Sequence, residues 1–320
     1  MSIKAFLFRG DGSDEPIEPG SEGRYRVAKD ELLWIDAWSL DGDERGALRR
    51  SLRMSDAAAG ALETEPGSVE ATVHEDAVEV VVRPLVDGLD GDPTALRLLV
   101  GRGWIITHHA EEMPFLEDRR ETIRDDRPVG QLTPIEFLVS VLDWQIDTFF
   151  TAAEELETEV DELDDAALGD GTDRDLLQRL VQMRRRIARV RRILAPHREI
   201  FAELARPAFL PDLAATEMEA LAAVTRRLER AGEAVAHTRE MLIGTFEVHM
   251  TRTAQRTNDI MRVLTLASVI LLPSVVLAGV MGMNFKVGLF NLVWMFWAVV
   301  VAMFGIAVLV LSVARSRRWI

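Results

Sequence analysis

Eight residues repeat at seven-residue spacing through one apolar stretch: Asn258, Met261, Thr265, Ser268, Leu272, Val275, Gly279 and Gly282. Helices gathered around a common axis turn such a stripe inward. It carries no charge, and its polar groups are one amide and two hydroxyls. That chemistry suits a partly hydrated cation. Mg²⁺ gives up water reluctantly, so neutral oxygens can meet it through its hydration shell without a carboxylate cage. The same spacing also builds the core of a coiled-coil oligomer that conducts nothing, and periodicity leaves both readings open.

Other chemistry-bearing groups are weaker. His108-His109-Ala110-Glu111-Glu112 lacks the His-Glu-x-x-His spacing that sets two imidazoles on one helix face, so a structural use is expected. The acidic run from Glu154 to Asp165 and the arginine run from Arg184 to Arg192 are expected to pack antiparallel and partly neutralise each other. The acidic run also reads as a reservoir for cations, or simply as a solvated face. No phosphate-binding loop or nucleophile motif is present, so no enzyme and no cofactor are expected. The chain has no cysteine, which excludes disulfides and thiolate metal sites.

Charge is divided sharply along the chain. Residues 1–262 hold 33 of the 37 Lys and Arg and all 52 Asp and Glu, a net −19, whereas residues 263–320 carry +4. An acidic soluble part argues against nucleic acid as a partner and is compatible with attracting cations.

These residues must be positioned by membrane helices. Val263–Phe285 gives 23 residues without a charge and Val287–Ala314 gives 28, each longer than the ~20 needed to span a bilayer. Arg252, Arg256 and Arg262 precede the first span, Arg315, Arg317 and Arg318 follow the second, and Lys286 is the lone cation between them. Positive-inside bias therefore places both termini in the cytoplasm and the loop outside, and a multi-pass plasma-membrane protein of bacterial inner-membrane type is expected. Met1–Gly10 has no apolar run for a cleaved signal peptide, consistent with a cytoplasmic soluble domain. One hairpin cannot enclose a pore, so passage of a solute needs several subunits in a ring. Ser274, Ala278 and Gly282 form a small-residue stripe for close helix approach, and Pro273 frees the Val269 carbonyl. On the second span Trp294, Phe296, Trp297, Val299–Val301 and Ile306–Leu311 are expected to face lipid, with Trp294, Trp297 and Trp319 anchoring at the interfaces.

Ahead of the spans, the pattern predicts an α+β domain over residues 1–130, a mixed sheet with flanking helices. Its strands are expected at 5–8, 32–35, 71–74, 78–83, 96–100 and 104–107, with a hairpin turn at Gly101-Arg102-Gly103 and helix between Asp43 and Glu63, broken near Ser55. Residues 131–210 read as two long antiparallel helices: one capped by Thr133, with Pro134 in its first turn and Glu136 completing a capping box, running to about Asp165, and one from about Asp173 to Leu204, interrupted at Pro196. A stalk helix, residues 211–262, begins near Asp212 and runs on into the membrane, reaching roughly 100 Å if continuous to Met281. Transmembrane helix 1 (263–285), an outer loop (286–290), transmembrane helix 2 (291–314) and a basic tail (315–320) complete the chain.

Gly282-Met283-Asn284, placed at the end of the penultimate span and followed by a short loop and one more span, resembles the signature of the CorA family of divalent metal cation transporters. Asn258-Asp259-Ile260-Met261-Arg262-Val263-Leu264-Thr265 resembles the family's pore entry, Leu272-Pro273 and Ala278-Gly279 its mid-span pattern. Arg317-Arg318-Trp319-Ile320 resembles its basic end, and Arg192–Ile200 the helix before its stalk. The likeness covers roughly residues 130–320.

The resemblance implies a funnel-shaped homopentamer in the lipid bilayer, a pore lined by the first span, and Mg²⁺, Co²⁺ or Zn²⁺ as cargo. It implies that Gly282, Met283 and Asn284 form the outer selectivity ring, with Gly282 allowing a sharp exit from the helix. Asn258 would make a polar inner ring, and Met261, Leu264 and Leu272 an apolar constriction. Thr265, Ser268, Val275 and Gly279 line the rest, and no protein ligand to the metal is assigned. The family also senses metal through carboxylates at subunit boundaries, for which Glu217, Glu219, Glu229, Glu233, Glu240 and Glu247 are candidates. One departure stands out: the loop Phe285–Phe290 carries Lys286 and no acid, as in the zinc-transporting ZntB branch. A ZntB-type Zn²⁺ transporter with proton coupling and a non-conducting membrane scaffold or metal sensor are the competing readings.

Overall fold

The computed structural model describes residues 3–9, 15–17, 27–28, 31–86, 88–111, 113, 116, 133–169, 175–210, 213–283 and 293–317. They form two compact units, Met1–Thr245 and Phe246–Ile320.

The first unit is built on a seven-stranded sheet. Its strands are β1 (Ile3–Arg9), β2 (Glu15–Ile17), β3 (Glu31–Trp38), β4 (Glu70–Val73), β5 (Ala77–Val82), β6 (Leu96–Gly101) and β7 (Trp104–His109). The order is β2-β1-β3-β7-β6-β5-β4. All neighbours pair antiparallel except β3 and β7, which run parallel with Leu33 opposite Trp104. The mixed sheet expected from sequence is therefore present, with β2 an additional edge strand.

The central strands are buried on both faces, so their apolar residues do not alternate with polar ones: β3 reads Leu32 to Ala37 without an exposed position. On one face Leu33, Ile35, Leu99 and Ile106 pack with Leu48 of helix α1 (Gly42–Leu52), Ala58 of helix α2 (Asp56–Ala61) and Met54 of the turn between them. Asp41 caps α1 in a capping box with Glu44, and Ser55 caps α2, which is why the helix breaks there. On the other face Trp34 meets Phe137 of helix α3 (Pro134–Leu168), ring centroids 5.3 Å apart. The β6–β7 hairpin needs both its glycines. Gly103 has φ +82°, and a Cβ on Gly101 would lie 2.1 Å from the Trp104 indole.

Helix α4 (Leu176–Leu204) runs unbroken through Pro196. Helix α5 (Ala215–Met281) continues for 67 residues through Pro273. Leu176, Leu180, Met183, Ile187, Val190, Leu194, His197, Phe201 and Leu204 make the buried seam of α4. Within the first unit the seam of α5 is Leu221, Val224, Leu228, Ala231, Val235, Thr238, Leu242 and Thr245. Both alternate steps of three and four, the spacing of knobs-into-holes packing. Cross-links fix the register: Thr225 Oγ1 donates to the Phe201 carbonyl at 3.1 Å, and Arg227 pairs with Asp143 and Asp147 of α3.

The second unit holds the rest of α5 and helix α6 (Val293–Ser316). Both helices are long and apolar enough to cross a membrane, and none of either apolar window is buried within the fold.

Candidate functional site

In the second unit the half-buried positions of α5 are Leu266, Ala267, Ile270, Pro273, Ser274, Leu277 and Met281. Those of α6 are Met295, Val299, Val300, Met303, Ile306, Ala307 and Val310, with Ala314 fully buried. Each set follows a helical period and marks the face on which the two arms of the hairpin pack. Val299, Val300, Ile306, Ala307 and Val310 thus face α5, a correction to their expected lipid exposure. Trp294, Trp297, Val301 and Leu309 are more than half exposed. The small-residue stripe is split as well: Ser274 lies on the packed face, whereas Ala278 and Gly282 are exposed.

The heptad stripe lies elsewhere on α5. Asn258, Met261, Thr265, Ser268, Leu272, Val275, Gly279 and Gly282 are all exposed. On a heptad wheel this stripe sits about 170° from the face that meets α6, nearly opposite it. The hairpin therefore covers its own packing face and leaves the uncharged stripe free. Thr265 is the stripe residue that also borders α6, at the edge of a cavity shared with Leu309 and Val313. Leu264 and Met283 are exposed beside the stripe.

Hydroxyl geometry adds a chemical detail. Ser268 Oγ donates to the Leu264 carbonyl at 2.8 Å, so its proton is committed to the backbone and its outward lone pairs act as acceptors. Thr251, Thr253 and Thr257 donate in the same way, to Glu247, His249 and Thr253. Such oxygens suit the water shell of a cation. The helix closes with Gly282 N–H donating to the Ala278 carbonyl at 2.9 Å. Gly282 does not adopt a positive φ, so the helix does not close there in a left-handed turn. Asn284, Lys286 and the rest of the 285–290 loop lie outside the described residues, as do Arg318, Trp319 and Ile320.

The other candidates belong to structural networks. His109 is fully buried and bonds through Nε2 to Asp36 Oδ1 at 2.9 Å, where Thr107 Oγ1 also donates at 2.5 Å. His108 faces Arg97, whose guanidinium also bonds Glu79 and the carbonyls of Ala61 and Thr64. Burial, then Arg97, His109 and Arg45, pull the His108 pKa down to about 4. Glu112 lies outside the described residues. Among the carboxylates considered for metal sensing, Glu217 is buried and engaged by Thr133 and the Ala214 N–H, whereas Glu219, Glu229, Glu233, Glu240 and Glu247 are exposed. Arg186 pairs with Glu159 across the two charge runs, but it and Arg189 also reach down to Asp90 and Asp92, a loop contact invisible in sequence. His197, missed by motif reading, sits in the α4 seam. It accepts from the Arg83 N–H at Nε2 (2.9 Å) and donates from Nδ1 to the Ile193 carbonyl (2.8 Å). Burial lowers its pKa to about 4 against the opposing pull of the Ile193 bond. The signal for it was its place in a three-four apolar spacing.

The cobalt/magnesium transport protein CorA of Thermotoga maritima is 28% identical over 205 residues, 63% of this chain and 57% of its own length. The protein of the same name from Methanocaldococcus jannaschii is 23% identical over 299 residues, 90% of this chain and 92% of its own. The complete structure of the M. jannaschii magnesium transporter superposes with a TM-score of 0.80 at 21% identity, covering 100% of this chain and 99% of that one. The cytoplasmic domain of ZntB from Vibrio parahaemolyticus superposes with a TM-score of 0.63 at 11% identity, covering 80% of this chain and 100% of that domain. A family model described as CorA-like Mg²⁺ transporter protein matches residues 29–315, spanning strands β3 to β7, the long helices and both candidate membrane spans, and the chain belongs to that family.

Proposed function

We propose that this chain assembles as a homopentamer in the plasma membrane and moves divalent cations, Mg²⁺ and Co²⁺, down their electrochemical gradient. The observation that carries the reading is the uncharged stripe Asn258–Gly282, which α6 of the same chain leaves uncovered. Five copies brought together on that stripe surround an axis lined by an amide, hydroxyl acceptors and small apolar groups. Neutral oxygens can replace outer-shell water without holding the ion too tightly to leave. Asn284 closes the outer end of the stripe as an amide ring, and Asn258 opens the inner end. Both termini are cytoplasmic. The membrane potential alone supplies about 4.6 kcal/mol per 100 mV for a divalent ion, so no nucleotide is required.

Uptake of Mg²⁺ into proteoliposomes tests this. The wild-type chain is expected to take up the ion. Asn284→Ala abolishes uptake while the oligomer keeps its mass, and undiminished uptake by that variant removes Asn284 from the mechanism.

A second reading follows from the acid-free loop with Lys286. It makes Zn²⁺ the cargo, driven with a proton as in the ZntB branch. Competitive uptake of Mg²⁺ against Zn²⁺, with and without a pH gradient, separates the two. An intact oligomer that takes up neither ion is a scaffold or sensor.

A further inference from the structure

Between α5 and α6 lies a cavity of about 360 Å³. Leu266, Val269, Val310 and Val313 form its walls, and Thr265 and Arg317 supply its polar edge. The volume is that of a small-ligand pocket, yet the lining is almost wholly hydrocarbon. Arg317 is exposed, and no ion pair to its side chain occurs among the described residues. Arg262 lies one turn before Thr265, and Arg315 two residues before Arg317, so this end of the hairpin gathers cations. Asp259, 3.5 Å from Arg262, is the last acid in the chain.

Within a bilayer an apolar slot of this kind fills with hydrocarbon, and a cation at its mouth favours a negative headgroup. A second copy of the hairpin is a poorer occupant. Neither span contains an acid, so it offers Arg317 no partner at that depth.

We propose that the groove holds one acyl chain of an anionic phospholipid, drawn from the leaflet on the arginine side, with its phosphate on Arg317. The site rests on the membrane reading of the hairpin but not on which ion is carried.

Native mass spectrometry of the full-length oligomer tests it, with dioleoylphosphatidylglycerol or dioleoylphosphatidylcholine added to the detergent micelles. Wild type is expected to retain phosphatidylglycerol about fivefold better than phosphatidylcholine, the effect of roughly one cation contact. Arg317→Gln, at an exposed position, removes that preference, and Arg317→Lys restores most of it. Val310→Trp fills the groove and lowers retention of both lipids. Millimolar inorganic phosphate leaves the lipid bound. The proposal is overturned if Arg317→Gln keeps the wild-type preference or if Val310→Trp retains lipid as wild type does. Phosphate stripping the lipid makes the site one for a free anion. A changed subunit number in Val310→Trp with unchanged lipid makes the groove a contact between copies, and either result also overturns it. Mg²⁺ uptake by the same preparations is a separate readout. Selective lipid retention without uptake supports the lipid site and rejects the transport reading, whereas uptake without lipid retention does the reverse.

Discussion

One hydroxyl joins the starts of two long helices: Thr133 Oγ1 accepts from the Glu136 N–H at 3.2 Å and donates to Glu217 Oε1 at 2.6 Å. Thr133 is thereby the cap of α3 and the anchor of α5, whose first turn Glu217 also closes by accepting from the Ala214 N–H at 2.9 Å. Thr133→Ala removes the cap and leaves a buried carboxylate short of a donor, and about 2–3 kcal/mol of stability should go with it. Thr133→Ser should retain most of it. Urea denaturation of the full chain in detergent measures both, and an unchanged midpoint in Thr133→Ala rejects the assignment.

Two buried histidines make the first unit acid-sensitive. His108 and His197 have pKa values lowered from 6.5 to about 4, so both are neutral in the folded state at pH 7. Between pH 6.5 and 4 the unfolded chain binds more protons than the folded one, and stability falls as pH falls. Above pH 6.5 their contribution is complete. Each can cost up to about 3 kcal/mol at the acid end of that window. The melting temperature should be level from pH 7 to 8 and drop steadily below 6.5. His197→Gln, which keeps an acceptor for the Arg83 N–H, should shallow the drop, and an identical slope would count against His197.

Two glycines should respond oppositely to the same methyl group. Gly101→Ala drives a Cβ to 2.1 Å from the Trp104 indole, at the edge of a packed core, and should cost several kcal/mol. Gly60→Ala meets nothing within 4 Å inside α2 and should stabilise by about 0.5–1 kcal/mol. Thermal denaturation of the two variants side by side is the check. Equal effects would mean that the Trp104 contact is not maintained.

Transport should depend on the stripe and not on the outer face of α6. Ser268→Leu replaces an acceptor oxygen with hydrocarbon on the exposed stripe and is expected to lower Mg²⁺ uptake at least tenfold. Val301→Leu, on an exposed α6 position, should leave uptake within twofold. A reversal of that order in proteoliposomes would move the conducting path to another face.

Much of this protein is legible in its residues. The two spans follow from uninterrupted apolar runs, because a bilayer tolerates no shorter or more charged alternative. The breaks at Ser55 and Thr133 follow from side chains that satisfy free helix N–H groups locally. Pro196 misled for the same local reason: it predicts an interruption, but packing of His197 and Phe201 in the α4 seam holds the helix through it.

What needed the tertiary structure was every relationship between distant segments. The strand order, with β3 parallel to β7, depends on pairings some seventy residues apart that no local pattern encodes. The burial of Glu217 depends on Thr133, 84 residues away, and the anchoring of Arg189 on Asp92, 97 residues away. Facing was undecided too. The sequence supplied a neutral heptad stripe on the first span, and its period alone suited a pore or a plain coiled coil. Only the packing of α6 against Leu266, Ile270, Pro273 and Leu277 decided which face of that helix the chain covers for itself. The physical reason is that a membrane helix without charge has no strongly polar side to betray its orientation, so its buried face is chosen by the shape of its neighbour.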